Sequence, residues 1–145
     1  MDEKSTYVWI VFNSPASFGK HTLNQYWVKR PFLLNDLFGV ILRFRENPVP
    51  ICKDISKMYH QLSIQLEDHH VHRFLWRGSE DGPPKTYVKT VLMFRDKPAA
   101  AMTQIALHNK AEEVKLVHLK ALLTLKQNIY IDDICDTVSP EQEGR

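Results

Sequence analysis

Two adjacent carboxylates between apolar segments constrain the fold more than any other feature of this chain. Segments 127–131 and 134–138 flank Asp132 and Asp133, and both have residue types that favour β-strands. Two such arms joined by a short polar turn predict an antiparallel hairpin with the carboxylates at its tip. Like charges this close repel each other, and a bound divalent cation would relieve the repulsion. An Asp-Asp pair is also an ordinary turn dipeptide, so the motif alone leaves both interpretations open.

The rest of the chain alternates strand and helix patterns and predicts a mixed α+β fold. Further strands are predicted over residues 8–12, 49–54 (a buried strand), 61–65, 73–77 and 86–94. Helices are predicted over residues 99–113, 114–125 and from about 34 to 45, the last with an apolar stripe of Leu34, Leu37, Phe38, Ile41 and Leu42. Loops are predicted at 14–31 and 78–84. No linker divides the chain, so we expect one domain over 1–145 with a polar tail at 139–145.

Composition narrows the functional classes only slightly. With 145 residues and 43% hydrophobic content, the chain can form one domain core, and its net charge of +2 does not by itself indicate nucleic-acid binding. It has no apolar run of membrane-spanning length and no signal-peptide pattern, so we expect an intracellular protein, cytoplasmic or nuclear, with no membrane partner. Cys52 and Cys135 are expected to be small buried hydrophobic residues, and His69, His70 and His72 to form a solvated turn rather than a zinc site.

A third carboxylate, Asp54, lies where the predicted strand 49–54 ends. A carboxylate at the end of a strand is a common position for a metal ligand. It is equally a common position for a side chain that caps a helix or a turn, and its sequence context does not decide between the two.

Taken together, these carboxylates resemble a known pattern. Asp54, followed five residues later by the aromatic Tyr59, and then Tyr-Ile-Asp-Asp at 130–133 resemble the first and third palm motifs of reverse transcriptases. The surrounding sequence resembles the polymerases of BEL/Pao-type retrotransposons from about residue 7 to residue 138. The segments that carry this resemblance are residues 11–16, 22–24, 33–38, 42–45, 54–61 and 73–77.

The resemblance implies an RNA-directed DNA polymerase with a palm and partial fingers, in which helices cover one face of an antiparallel sheet. The fingers remnant would be about residues 7–50 and 61–92, and the palm about 49–60 and 93–138. The partners would be an RNA or DNA template-primer and a deoxynucleoside triphosphate. The implied catalytic and metal-binding residues, holding two Mg²⁺ (or Mn²⁺) ions, are Asp54, Asp132 and Asp133. The implied substrate-binding residues are Tyr59, which would lie under the sugar of the incoming nucleotide, Gln61 and Tyr130.

The chain departs from the family pattern in its predicted fingers. Asn13 stands where an Asp is usual, Trp9 where a basic residue is usual, and a lysine is expected near Ser17. Loss of these basic groups would remove charge stabilisation of the triphosphate, which is usually a large contribution to such catalysis.

The second palm motif also departs from the pattern, which normally begins Phe-Gly. Here it reads Phe94-Arg95-Asp96-Lys97-Pro98, and an Arg in place of Gly would be strained at any positive φ. No thumb-like segment follows Val138, although a second chain could supply one. We therefore expect the isolated chain to bind nucleic acid weakly and to extend primers negligibly. The alternative is a non-catalytic or co-opted remnant that binds nucleic acid or protein.

Overall fold

The structure is a computed structural model, and it describes residues 11–78 and 82–140. The fold is a mixture of α-helices and antiparallel strand pairs, so the predicted α+β class is confirmed at that level. The helices are α1 Leu23–Tyr26, α2 Leu37–Arg43, α3 Ala99–Val114 and α4 Leu119–Gln127, with 3-10 helices at Met58–Gln61 and Leu66–His72. The strands are β1 Ser17–Phe18, β2 His21–Thr22, β3 Val49–Asp54, β4 Arg73–Trp76, β5 Lys85–Val88, β6 Ile129–Tyr130 and β7 Asp133–Val138. In the described ranges, no helix is long and apolar enough to cross a membrane.

The central sheet has the strand order β3-β7-β6, and all of its pairings are antiparallel. β3 pairs with β7 from Val49 opposite Val138 to Asp54 opposite Asp133. Residues 49–54 and the first arm of the hairpin are therefore near neighbours with β7 between them. Pro50 cannot donate to a strand ladder, and its place in an edge strand fits that restriction.

A tight hairpin joins β6 to β7. Tyr130 pairs with Asp133, so only Ile131 and Asp132 form the connecting loop. Ile131 has φ 58°, and Asp132 is not among the residues with positive φ. Positive φ at the first central residue alone fits a type II′ turn, whose twist suits a two-residue hairpin. The predicted hairpin is confirmed, but its loop is shifted by one residue: Asp132 lies in the loop, whereas Asp133 is already paired as the first residue of β7.

Helices α2 and α4 contact strands β6 and β7, whereas α3 packs against α4 and the first 3-10 helix. Thr124 in α4 donates a hydrogen bond to Asp136 over 2.5 Å, which holds α4 on the sheet face that carries Asp136. At the start of α2, Asp36 accepts from the backbone N–H of Gly39, and Asn35 donates to the Ile129 carbonyl of β6 at 2.8 Å. The predicted helices therefore border the sheet, but α3 does so mainly through α4.

Two burial predictions are wrong. The predicted stripe of α2 is mostly exposed (Leu37, Phe38, Ile41 and Leu42), and Val40, at 1% exposure, is the buried residue of this helix. β3 is exposed along most of its length rather than buried, and it is an edge strand of the sheet. In both cases the sequence predicted the type of element, but it assigned the buried side from apolarity alone.

Several predicted element boundaries are also wrong. Segment 61–65 forms a single bridge, Ser63 opposite Val91, because 3-10 helices flank it on both sides. The strand predicted over 86–94 ends at Val88, and β5 forms a hairpin with β4. The second late helix begins at Leu119, after a turn that lets α4 fold back onto α3. The loop predicted at 14–31 contains β1, β2 and α1.

Some predicted elements lie partly outside the described residues. Residues 8–10 of the first predicted strand are outside them, and Val11 and Phe12 are not in a strand. Most of the polar tail, at 141–145, is also outside, as are residues 79–81 of the predicted turn between β4 and β5.

Candidate active site

The strand register brings two of the predicted carboxylates together. The N–H of Ile55 donates to the Asp132 carbonyl at 2.8 Å, which makes these two residues a hydrogen-bonded pair just beyond the end of β3. Hydrogen-bonded and non-hydrogen-bonded pairs alternate along an antiparallel ladder, so Asp54 and Asp133 form a non-hydrogen-bonded pair. Such pairs have Cα atoms about 4.5 Å apart, and their side chains lie on the same face. Asp54 and Asp133 thus share the closest cross-strand position that a sheet provides.

The predicted Tyr130 lies in the same row of side chains. It pairs with Asp133 across β6 and β7, so Tyr130, Asp133 and Asp54 follow one another across the three strands on one face. Asp54 and Asp133 are exposed, while Tyr130 is half-buried. The sheet therefore presents a phenol and two carboxylates side by side.

The carboxylates of Asp54, Asp132 and Asp133 make no hydrogen bond or ion pair within the described residues. By contrast, the Asp136 carboxylate accepts hydrogen bonds from Thr124 and Asn128. The capping role considered for Asp54 is not observed, since the following 3-10 helix has no side-chain cap. Like charges directly opposite each other destabilise a sheet, by a cost on the order of 0.2–1 kcal/mol.

The donor set suits a hard divalent cation, because Mg²⁺ takes one or two protein carboxylates together with water and phosphate oxygens. Asp54 and Asp133 fit that requirement as an exposed pair whose side chains can rotate towards an ion. No group of three potential metal ligands converges in the part of the chain that the structure describes. The three-carboxylate, two-ion site therefore stays a prediction, whereas the pairing of Asp54 with Asp133 is observed.

Asp132 faces a cavity of about 470 Å³ beside the hairpin. The cavity is lined by Lys57, Met58, Tyr59, His60, Phe94, Arg95 and Asp132. The pKa of Tyr59 is raised above its ordinary value, first by burial of the phenol and then by the negative charge of Asp132. The predicted substrate residue Tyr59 and the predicted ligand Asp132 thus share one cavity. Gln61 does not line it, and its amide donates to the Ser56 carbonyl at 2.6 Å.

Arg95 also lines this cavity. Its φ is 73°, a left-handed conformation that favours glycine. Its guanidinium donates to the Asn13 side-chain carbonyl at 3.1 Å and lies 5.8 Å from the centroid of the Phe94 ring. The Asn24 side chain binds the same loop by donating to the Arg95 carbonyl and accepting from the Lys97 N–H. Asn13 and Arg95 are therefore in direct contact.

The structure contains a buried polar cluster that the sequence patterns did not predict. Ser14 donates to one oxygen of Asp96, and His72 Nε2 lies 2.7 Å from the other. Trp27 stacks on His72 with ring centroids 5.9 Å apart, and both rings line a second cavity of about 560 Å³. His72 is 4% exposed, so the predicted solvated turn is wrong for this residue. Ser14 contacts the carboxylate rather than the imidazole, so the cluster is not a nucleophile–base pair.

The two cysteines also differ from the expectation of buried hydrophobic residues. Cys52 is exposed and Cys135 is half-buried, and both are free thiols. They face each other in the row next to the Asp54–Asp133 pair. The pKa of the Cys135 thiol is raised first by burial, then by the neighbouring Cys52 thiol and by the charge of Asp133.

In comparisons with known proteins, no family model matches this chain and no curated protein matches it.

Proposed function

We propose that this chain is a reverse-transcriptase-type palm of the BEL/Pao kind, whose chemistry is RNA-directed DNA synthesis. The observation that carries the proposal is the cross-strand pairing of Asp54 with Asp133, next to a hairpin loop that contains Asp132. These positions are far apart in sequence, and a chance turn dipeptide gives no reason for them to meet. The substrates would be a template-primer and a deoxynucleoside triphosphate.

Backbone strain at the hairpin supports a functional role for it. Ile131 is β-branched and has positive φ, a combination that is an outlier and costs of order 1–3 kcal/mol. Such strain is found mainly at functional sites. Arg95 separately supports the resemblance to reverse transcriptases, because its positive φ occurs at the position where that family's second palm motif carries glycine.

In the proposed site, Asp54, Asp132 and Asp133 would hold the metal ions. If Mg²⁺ ions were bound there, they would supply charge stabilisation to the oxygens that react during nucleotidyl transfer. Tyr59 would form the cavity wall against the nucleotide sugar, and its half-buried ring leaves less room for a larger sugar. Lys57 and Arg95 place positive charge in the same cavity, where it would attract triphosphate oxygens.

A second candidate is a palm-like module that binds nucleic acid or protein without turnover. The presence of Arg95 and Lys57 in the cavity with Asp132 favours it, because fixed cations lower the affinity of a carboxylate site for divalent ions. In this case the cavity would bind phosphate groups without assembling the two-ion site. The two candidates therefore differ in whether divalent ions bind.

The test measures metal binding and primer extension on the same protein. Mn²⁺ binding is followed by electron paramagnetic resonance, with and without a deoxynucleoside triphosphate. Primer extension on an RNA template is measured with Mg²⁺ and with Mn²⁺. The variants are Asp54→Asn and Asp132→Asn, with Asp68→Asn as the matched control, since Asp68 is exposed and lines the other cavity.

We expect Mn²⁺ binding that Asp54→Asn and Asp132→Asn weaken at least about tenfold and Asp68→Asn leaves unchanged. Any extension by the isolated chain should be slight, because the predicted fingers lack the usual basic groups. Extension abolished by Asp132→Asn would show that turnover survives these departures. Nucleotide binding without a metal requirement would favour the second candidate. Absence of both metal and nucleotide binding would contradict the polymerase proposal.

A further inference from the structure

We infer that Cys52 and Cys135 form a dithiol modification site that reacts with small disulfides of the glutathione type to give a disulfide within the sheet. The inference does not depend on the polymerase proposal, because it concerns only the pairing of β3 with β7. It assigns a chemical role to the two cysteines of the chain, which the proposed site does not use.

The strand register supplies the geometry. Cys52 lies directly opposite Cys135, two pairs along the ladder from Asp54 and Asp133. Since pairs alternate, this is also a non-hydrogen-bonded pair, with Cα atoms about 4.5 Å apart. Disulfides join Cα atoms separated by roughly 4.4–6.8 Å, so a bond can form with little movement of the strands.

A second backbone contact confirms this assignment of the pair. The Cys135 N–H donates to the Asn128 carbonyl at 2.8 Å, so it points towards β6 and away from β3. A residue whose N–H points away from a neighbouring strand is in a non-hydrogen-bonded pair with that strand. The side chains of Cys52 and Cys135 are therefore at the closest cross-strand spacing.

Access determines the order of the reaction. Cys52 is exposed and Cys135 is half-buried, so an external disulfide reaches Cys52 first. Cys52 loses its proton and attacks one sulfur of oxidised glutathione, which gives a mixed disulfide and releases one glutathione thiolate. Cys135 then loses its proton and attacks Cys52 Sγ, which releases the second glutathione. Both protein thiols are oxidised, and one glutathione disulfide is reduced to two glutathione thiols.

The product ties the edge strand to the middle of the sheet. Within its sheet, β3 pairs only with β7. The disulfide would therefore link this edge strand covalently to β7, next to the carboxylate pair. The same side of the sheet carries Asp54 and Asp133, so oxidation fixes the strand spacing in the neighbouring pair. A reducing environment would leave this spacing free to adjust.

The test treats the full chain with oxidised glutathione and follows intact mass with alkylation of free thiols. We expect the major product to be a monomer that has lost two hydrogens and reacts with no alkylating reagent. Cys52→Ser and Cys135→Ser should not form this product. Cys135→Ser should instead accumulate a stable glutathione adduct on Cys52, because no thiol remains to displace it.

A double variant provides a control for the register. Ile51→Cys combined with Cys52→Ser moves the thiol to the opposite face, across from Asp136, and should not form the internal disulfide. Circular dichroism checks that each variant folds, and Cys135→Ala replaces the serine variant if serine is not tolerated. Wild-type protein that keeps a glutathione adduct, retains two free thiols or forms mainly covalent dimers would overturn the inference.

Discussion

The strained backbone at Arg95 leads to a prediction whose sign can be tested. Arg95 has φ 73° and is exposed, so a residue without a Cβ should be better suited to this position. Replacement by glycine alone is ambiguous, because it also removes the contacts of the guanidinium with Asn13 and Phe94. A comparison of Arg95→Gly with Arg95→Ala removes those contacts from both variants. Their difference then reports on the backbone.

The magnitude follows from two opposing effects. A residue with a Cβ loses about 1–2 kcal/mol in the left-handed region relative to glycine. Glycine loses more conformational freedom on folding than alanine, which costs about 0.4–1 kcal/mol. We therefore expect Arg95→Gly to be more stable than Arg95→Ala by about 1 kcal/mol. Local relaxation of the loop would reduce the difference but not reverse its sign.

The assay is urea denaturation of both variants, with the free energies of unfolding compared only if their m-values agree. Lys97→Gly and Lys97→Ala form the matched control, since Lys97 is exposed in the same loop and does not have positive φ. There alanine should be the more stable residue. If Arg95→Ala is as stable as Arg95→Gly or more stable, the assignment of a left-handed conformation is refuted. One argument for the proposed resemblance to reverse transcriptases is then lost as well.

Three further predictions follow from the sites described above. Asp132→Asn should lower the pKa of Tyr59 towards its ordinary value, because it removes a negative charge that disfavours the tyrosinate. Ultraviolet pH titration, with Tyr59→Phe as the reference that lacks this phenol, would measure the change. An unchanged pKa would mean that the two groups do not interact. Asp96→Ala should lower the free energy of unfolding, measured by urea denaturation, by about 3 kcal/mol or more, because it leaves a buried imidazole unpaired. The control Asp68→Ala should change this free energy by less than about 0.5 kcal/mol. Similar losses in the two variants would contradict the buried cluster. Binding of a labelled template-primer, measured by fluorescence anisotropy, should be weak and should largely disappear at physiological salt, because the net charge of the chain is only +2. Sub-micromolar affinity at physiological salt would favour a co-opted binding module.

Local residue patterns correctly predicted those helices and strands that depend mainly on their own sequence. β3 has the predicted bounds, α3 runs from Ala99 to Val114, and β6 and β7 form the predicted hairpin. In each case a run of one residue type ends at a clear breaker or polar turn. The Asp54–Asp133 meeting was predictable only through the family resemblance, because strand register depends on partners distant in sequence.

The cluster of Ser14, His72 and Asp96 could not be predicted in this way. Asp96 is 82 residues from Ser14 and 24 from His72, and no spacing rule connects them. The exposed stripe of α2 has a related cause, since burial of a helix face depends on which neighbour it meets rather than on its own apolarity. Where tertiary contacts decide, sequence patterns give the element but not its environment.

The unfavourable local features of the central sheet are concentrated at one end. Asp54 and Asp133 are like charges at the closest cross-strand spacing, and Ile131 has a positive φ. The Asp132 carboxylate beside them makes no hydrogen bond or ion pair in the described chain. Each feature destabilises the sheet. A cation bound between the carboxylates would turn their repulsion into attraction, and a loop that must present Asp132 to that cation would explain the strain at Ile131. One bound cation would thus account for all three features, whereas the geometry of a two-residue hairpin by itself accounts only for the positive φ of Ile131.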